Sequence, residues 1–181
     1  MPDYQPLKAR LQQFGALRPE AWEKILESSK ITHLKQGETF VRRQGSLAII
    51  LAGLIKEHDP AERKTPSIIN FLDELQALST SRYNQPNFLK ACQPTLLIHW
   101  DGEALQSLYG NYPELKTIYE GILEQYEHRI VLRMRLLELP VNERLETFRS
   151  IFRKLLPYLK KKDLANYLHL NYSHFIRIWN S

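Results

Sequence analysis

The last twenty-one residues, Lys161 to Ser181, place their apolar side chains at two helical phases separated by a short turn. Leu164, Ala165 and Leu168 form one stripe, Phe175, Ile178 and Trp179 form a second, and Leu170 falls between them. Ala165 stands where two crossing helices need a side chain too small to clash. This spacing predicts a helix-turn-helix, whose second helix can lie in a DNA major groove. Asn171 suits the cap of that helix, so Tyr172, Ser173, His174, Ile176 and Arg177 open it. Ser173, His174 and Arg177 share one side at spacings of three and four. Arginine matches guanine O6 and N7, and Lys160, Lys161 and Lys162 suit phosphates. Phe175, Ile178 and Trp179 are expected in the core. The sequence ends two residues after Trp179, so no wing hairpin is expected behind the reader.

Charge follows the same division. Residues 129–181 carry 11 Lys/Arg and 4 Asp/Glu, net +7, whereas residues 1–128 carry 14 and 16, net −2. A basic end on a neutral-to-acidic body is the footprint of a DNA reader with a separate sensing part. With 43% hydrophobic and 25% charged residues the chain reads as an ordinary globular protein. No apolar run approaches the roughly 18 residues of a membrane span. The opening Met1-Pro-Asp-Tyr-Gln-Pro6 lacks the basic and apolar regions of a signal peptide. One cysteine, Cys92, makes no internal disulfide and reads as a small buried hydrophobe. Together these features lead us to expect a reducing, cytoplasmic setting and no membrane partner.

Upstream the texture changes twice. Leu7, Leu11 and Phe14 repeat at helical spacing until Gly15, and Pro19 opens a second helix carrying Trp22, Ile25 and Leu26. Seven short β-rich runs follow: Ile31–Leu34, Thr39–Arg43, Ala48–Leu51, Leu54–His58, Ser67–Phe71, Asn87–Ala91 and Thr95–Trp100. Gly37, Gly45 and Gly53 fall eight residues apart, as corners of a compact β-barrel or roll would. Asp59 to Pro66 reads as a polar hairpin tip or loop. From Pro113 to Leu139, Leu115, Ile118, Tyr119, Ile122, Leu123, Tyr126, Ile130, Met134 and Leu137 repeat at three and four. That predicts one long amphipathic helix, packed on its own barrel or on its twin in a dimer. Pro140 ends it, and Asn142 is expected to cap a further helix running to Phe152. The periodicity alone supports a mixed α+β chain.

The order of these parts resembles the bacterial Crp/Fnr family, and in particular a short-chain subgroup of Bacteroidetes-type bacteria with a degenerate effector pocket. The resemblance is carried by Leu34-Lys-Gln-Gly-Glu-Thr-Phe-Val-Arg-Arg-Gln-Gly45, by Leu136-Leu-Glu-Leu-Pro-Val-Asn-Glu-Arg-Leu145 and by Lys162-Asp-Leu-Ala-Asn-Tyr-Leu168. It implies an α+β fold. A β-roll sensor (double-stranded β-helix or jelly-roll-like, flanked by helices) would occupy residues 1–112. A dimerisation helix would follow over 113–139, and an all-α helix-turn-helix domain over 140–181. Leu115, Ile118, Tyr119, Ile122, Leu123, Tyr126 and Ile130 would then pair two copies. Double-stranded DNA would be the partner, with a small effector unknown or lost.

The resemblance also implies an effector pocket near Glu74, Leu75, Arg82 and Gln85. Glu74 falls near the family's ribose-binding carboxylate. Gln85 stands where the family has the arginine that neutralises the cyclic phosphate, with Arg82 three residues away. Glutamine cannot neutralise a buried phosphate, so cyclic AMP or GMP is not expected. The strand pair between Gly45 and Gly53 is also shorter than in the family. In the reader, His169 occupies a turn position usually held by Gly, Ile176 one usually held by Ser, and Ser173 one usually held by Glu. One cysteine excludes an ordinary four-thiolate cluster, and His33, His58, His99 and His128 show no ligand spacing, so no metal is expected. Catalytic motifs are lacking and no enzyme is expected. The rival reading is a ligand-binding or protein-interaction module that keeps the fold without reading DNA.

Overall fold

The computed structural model describes residues 2–61 and 64–180. Glu62 and Arg63, in the expected hairpin tip, lie outside the described residues, as do Met1 and Ser181. Helices α1 (Gln5–Gln12) and α2 (Pro19–Glu27) precede strands β1 (Lys30–Leu34), β2 (Thr39–Phe40), β3 (Leu47–Ala52), β4 (Ile55–Asp59), β5 (Ser67–Leu72), β6 (Ala77–Ser79), β7 (Phe88–Ala91) and β8 (Thr95–Trp100). Helices α3 (Gly102–Asn111), α4 (Leu115–Glu138), α5 (Val141–Ile151), α6 (Lys161–Tyr167) and α7 (Tyr172–Trp179) follow.

The strands form two four-stranded antiparallel sheets, ordered β1-β8-β3-β6 and β2-β7-β4-β5. Alternation puts Ile50, Ile55, Leu72, Leu89 and Leu97 between them as one core. The three glycine corners all have positive φ: Gly37 at 87°, Gly45 at 78° and Gly53 at 107°. Gly53 is the tightest, because a Cβ there would lie 2.5 Å from Thr95 Oγ1 and 2.7 Å from the Pro94 carbonyl. Two sequence expectations need correction here. Thr39–Arg43 pairs only at Thr39 and Phe40, because Arg42 beyond them turns its side chain into the barrel. Strand β6 has three residues, too few to show a period, and was not anticipated.

Helix α4 lays Leu115, Ile118 and Ile122 onto a second core with α1, α2, α3 and β3. A third core joins Phe71 of β5 to Leu136, Leu145, Phe148, Leu164, Tyr167 and Phe175. Helix α5 begins at Val141 with Pro140 at its cap position and no side-chain cap, so Asn142 lies inside the first turn rather than capping it. Proline's fixed φ is already compatible with a helix start.

Candidate nucleic-acid interface and the β-roll interior

Helix α6 ends in a left-handed residue, His169 at φ 54°. The Leu170 N–H returns to the Ala165 carbonyl (2.9 Å) and the His169 N–H to Asn166 (3.1 Å), a Schellman closure without glycine. Arg133 of α4 supports this corner: its guanidinium donates to the Tyr167 carbonyl (3.3 Å) and to His169 Nε2 (2.7 Å). Asn171 then caps α7, its Oδ1 accepting from the Ser173 (3.0 Å) and His174 (3.4 Å) amides. Ala165 is buried at the crossing and Phe175 is fully enclosed, while Ile178 and Trp179 pack half-buried against the same core.

This leaves Tyr172, Ser173 and Arg177 exposed along one side of α7, with Asn171 exposed at its start. Half-buried His174 sits among them, its Nδ1 accepting from the Arg177 guanidinium at 2.9 Å. Lys160, Lys161 and Lys162 are exposed at the start of α6, and Lys161 donates to Asn180 Oδ1 at 3.1 Å. The expected reader residues therefore share one module. Arg144 ties that module to α4 by donating to the carbonyls of Leu137 (2.8 Å), Leu139 (2.9 Å) and Leu168 (2.9 Å).

The module is also fastened to the β-roll. Strand β5 is the outer strand of its sheet, and Asn166 satisfies that edge. Its Oδ1 accepts from the Ile68 amide at 2.7 Å and its Nδ2 donates to the Pro66 carbonyl at 3.0 Å. Lys56 pairs with Asp163 at 2.7 Å beside it, with both side chains largely covered.

The expected effector residues are not gathered into an interior site. Glu74, Arg82 and Gln85 are exposed, and Leu75, at φ 62°, packs half-buried against the second core. Arg82 turns to its neighbour Tyr83. The roll interior holds a different charged group. Arg42 NH1 meets Glu57 Oε1 at 2.5 Å, with side chains 1% and 0% exposed. Arg42 also donates to Thr80 Oγ1 (3.2 Å) and to the Ser79 carbonyl (2.8 Å). Glu57 accepts from Asn87 Nδ2 (3.2 Å) and from the Tyr126 hydroxyl at 2.8 and 2.9 Å to its two oxygens. Burial, then the Glu57 charge, pushes the Tyr126 phenol up to about 12, so it stays a donor at neutral pH. Asn70 lies opposite Glu57 in the β4–β5 register and keeps a buried Nδ2 without a partner.

A cyclic nucleotide does not fit these residues. Arg42, the one inward arginine of the roll among the described residues, is already neutralised by Glu57, and an entering phosphate would have to break that pair in a low-dielectric interior. Sequence reasoning missed the pair, although the signal was present. Arg42 is in phase with Phe40 and Glu57 with Ile55, which puts both charges at inward positions of alternating strands.

The expected dimer stripe also needs correction. Leu115, Ile118 and Ile122 are buried in the second core, Tyr126 is buried with its hydroxyl on Glu57, and Tyr119 leans on the second core and reaches Ser79 Oγ at 3.3 Å. That face is used up because α4 covers the open side of the roll. Leu123 and Ile130 lie half-buried roughly a quarter turn away, alongside Leu137 and Met134, which is 58% exposed.

Burial pushes the Cys92 thiol up to about 11, as expected of an inert, half-buried hydrophobe. His58 stacks on Phe88 with centroids 4.5 Å apart, and both its ring nitrogens are buried without partners. Its pKa falls to about 4, chiefly through burial. Among the described residues no helix is long and apolar enough to cross a membrane, and no cluster of His, Cys, Asp and Glu could hold a metal ion.

No protein-family model matches the chain, and no curated protein does. Solved structures do match. A transcriptional regulator of the Crp/Fnr family from Eubacterium rectale superposes with a TM-score of 0.73 at 11% identity, covering 98% of this chain and 86% of that one. FixK2 from Bradyrhizobium japonicum gives 0.70 at 13% identity, covering 84% and 83%. CLP, the c-di-GMP-responsive global regulator of Xanthomonas campestris, gives 0.69 at 14% identity, covering 90% of each. Identities this low establish the fold alone: a mixed chain of seven helices and two antiparallel sheets among the described residues, built like these regulators.

Proposed function

We propose that this chain is a dimeric, sequence-specific DNA-binding transcription regulator, with α6 and α7 as its reader. The observation that carries the reading is the presentation of α7. It is capped by Asn171 and anchored by Phe175, and it offers Ser173 and Arg177 outward beside Lys160–Lys162. Arg177 reads guanine and the lysines hold phosphates. The net +7 of residues 129–181 steers the module to DNA, and regulators of Eubacterium rectale and Xanthomonas campestris share this fold.

In this reading residues 1–112 form a sensor-like body, 113–139 the connecting helix and 140–181 the reader. Two copies pair through Leu123, Ile130, Met134 and Leu137, whose spacings of seven, four and three residues suit a helix seam. Arg42 and Glu57 replace an interior effector, so the roll needs no cyclic nucleotide to hold its shape.

The test is selection of genomic fragments by the purified chain over a salt series. A recovered palindrome with half-sites about one helical turn apart supports a paired reader. Arg177→Ala should abolish that enrichment with the melting temperature unchanged. Sequence-blind retention that vanishes with modest salt refutes the reading.

A further inference from the structure

We propose that strand β5 of the roll positions the reader. Helix α6 is seated on the edge and outer face of β5, and this seat, built from protein side chains alone, holds α7 at one angle without an effector. The positioning role rests on the DNA-reading function above; the seat does not.

Strand β5 is the outer strand of its sheet, so its edge groups need partners from elsewhere. Asn166 answers the Ile68 amide and the Pro66 carbonyl with one side chain. Three residues earlier on α6, Asp163 takes the Lys56 ammonium, with the Lys56 and Asp163 side chains 14% and 17% exposed. Asp163, Asn166 and Tyr167 stand three and four residues apart, so one face of α6 meets the roll. Phe71 and Tyr167 are both buried and pack, tilted, with centroids 4.9 Å apart. The Arg133 guanidinium of α4 lies over the Tyr167 ring, 5.1 Å from its centroid.

Leu54, Ile68 and Phe71 of the roll therefore share one core with Leu164, Tyr167 and Phe175 of the helix pair. Two bodies that move against each other meet through a modest, polar boundary. This boundary is apolar and closed. Swinging the helix pair away would expose Ile68, Phe71 and Tyr167 to water and leave the β5 edge without partners, so the fold itself sets the angle of α7.

The consequence is geometric. Each base pair added between two half-sites turns one against the other by about 34° and moves it by about 3.4 Å. A pair of seated readers can follow one spacing. A pair released from the roll, and joined to α4 only through the α4–α5 link, can follow several. Lys56, Asp163 and Asn166 are positioning residues in this sense: they lie in the contact between roll and α6 and act through α7.

Two readouts on the full chain separate the seat from the reading. Hydrogen exchange follows Ser67–Leu72 in wild type, in Lys56→Glu, and in Lys56→Glu combined with Asp163→Lys. Lys56→Glu removes no hydrogen bond of the Ile68 amide, which donates to Asn166. It should nonetheless speed exchange there about tenfold, and the reversed pair should restore protection. The second readout is selection from a palindrome library of varied half-site spacing, with no small molecule added. Wild type should enrich one spacing. Lys56→Glu, and Asn166→Ala as a milder release that suits a helix, should enrich the same half-site bases at several spacings. The reversed pair should return to one. Unchanged exchange in Lys56→Glu overturns the seat. A single unchanged spacing in both variants, a lone half-site, or enrichment by wild type only after cyclic AMP is added overturns the positioning role. A protected strand in a chain that enriches no sequence refutes the reading function and leaves the seat standing.

Discussion

Replacing Glu57 by Gln is the sharpest probe of the roll interior. The change keeps shape and leaves an acceptor for the Tyr126 hydroxyl and Asn87. Among the described residues it removes the only carboxylate that Arg42 meets in the interior, with both side chains essentially solvent-free. Arg42 would keep Thr80 and the Ser79 carbonyl, which satisfy its hydrogens without cancelling its charge. Breaking a buried pair by removing one partner costs about 3–5 kcal/mol. For a chain of this length each kcal/mol lowers the melting temperature by about 2–4 °C, so a fall of about 6–20 °C is expected. Calorimetric melts and urea unfolding of wild type, Glu57→Gln, Arg42→Met and the double variant provide the assay. The double variant should be more stable than Glu57→Gln alone, because it removes the orphaned charge as well. A Glu57→Gln loss below 1 kcal/mol, or a double variant showing simple additivity, refutes the argument that this pair is buried and coupled.

Three further outcomes follow from the same geometry. Asn171→Ala removes an acceptor for two amides and should cost about 1 kcal/mol, with DNA retention falling as the first turn of α7 frays; unchanged stability by urea unfolding counts against the cap. His58 is neutral in the fold down to about pH 4, whereas the unfolded ring protonates near 6.5, so the unfolded state binds more protons between those values. Stability should be full above pH 6.5 and decline as pH falls toward 4, and His58→Phe should flatten that decline in urea midpoints. Met134→Glu combined with Ile130→Glu should convert a dimer to a folded monomer in sedimentation, with a melting temperature that no longer depends on protein concentration, whereas Ile122→Glu should unfold the chain; a double variant that sediments like wild type rules out the seam.

How much of this was legible depended on whether a pattern had one physical cause. The α6–α7 helix pair was legible because a capping Asn, two apolar phases and a small crossing residue leave few alternatives. His169 adopting the left-handed turn conformation follows from the spacing, since the chain must reverse between Leu168 and Leu170. The glycine corners were legible for the same reason. The long helix was legible as a helix but its faces were not. Leu115, Ile118, Ile122 and Tyr126 form a strong stripe, and a stripe says that something covers it, not what. The roll covers it, leaving the weaker row at Leu123, Ile130, Met134 and Leu137 outside. The effector residues failed differently. Glu74, Arg82 and Gln85 were placed by resemblance, while the residues that fill the interior were marked only by alternation in strands that also carry outward charges.

The coupling of α6 to the roll was illegible because it is a property of neighbours distant in sequence. Asn166 reads as an ordinary helix residue until β5 is known to be an outer strand; then its amide is the group that satisfies both a free N–H and a free carbonyl there. Lys56 reads as a strand's solvent charge until Asp163 is known to cover it. Phe71 unites the two, because its ring lies on the face of β5 opposite the roll interior and packs, tilted, with its centroid 4.9 Å from that of Tyr167. Strand β5 therefore carries the interior core through Leu72 and the core of the C-terminal helices through Phe71. A shift of one residue in its register exchanges those faces, so the seating of α5–α7 and the packing of the roll are fixed by the same strand.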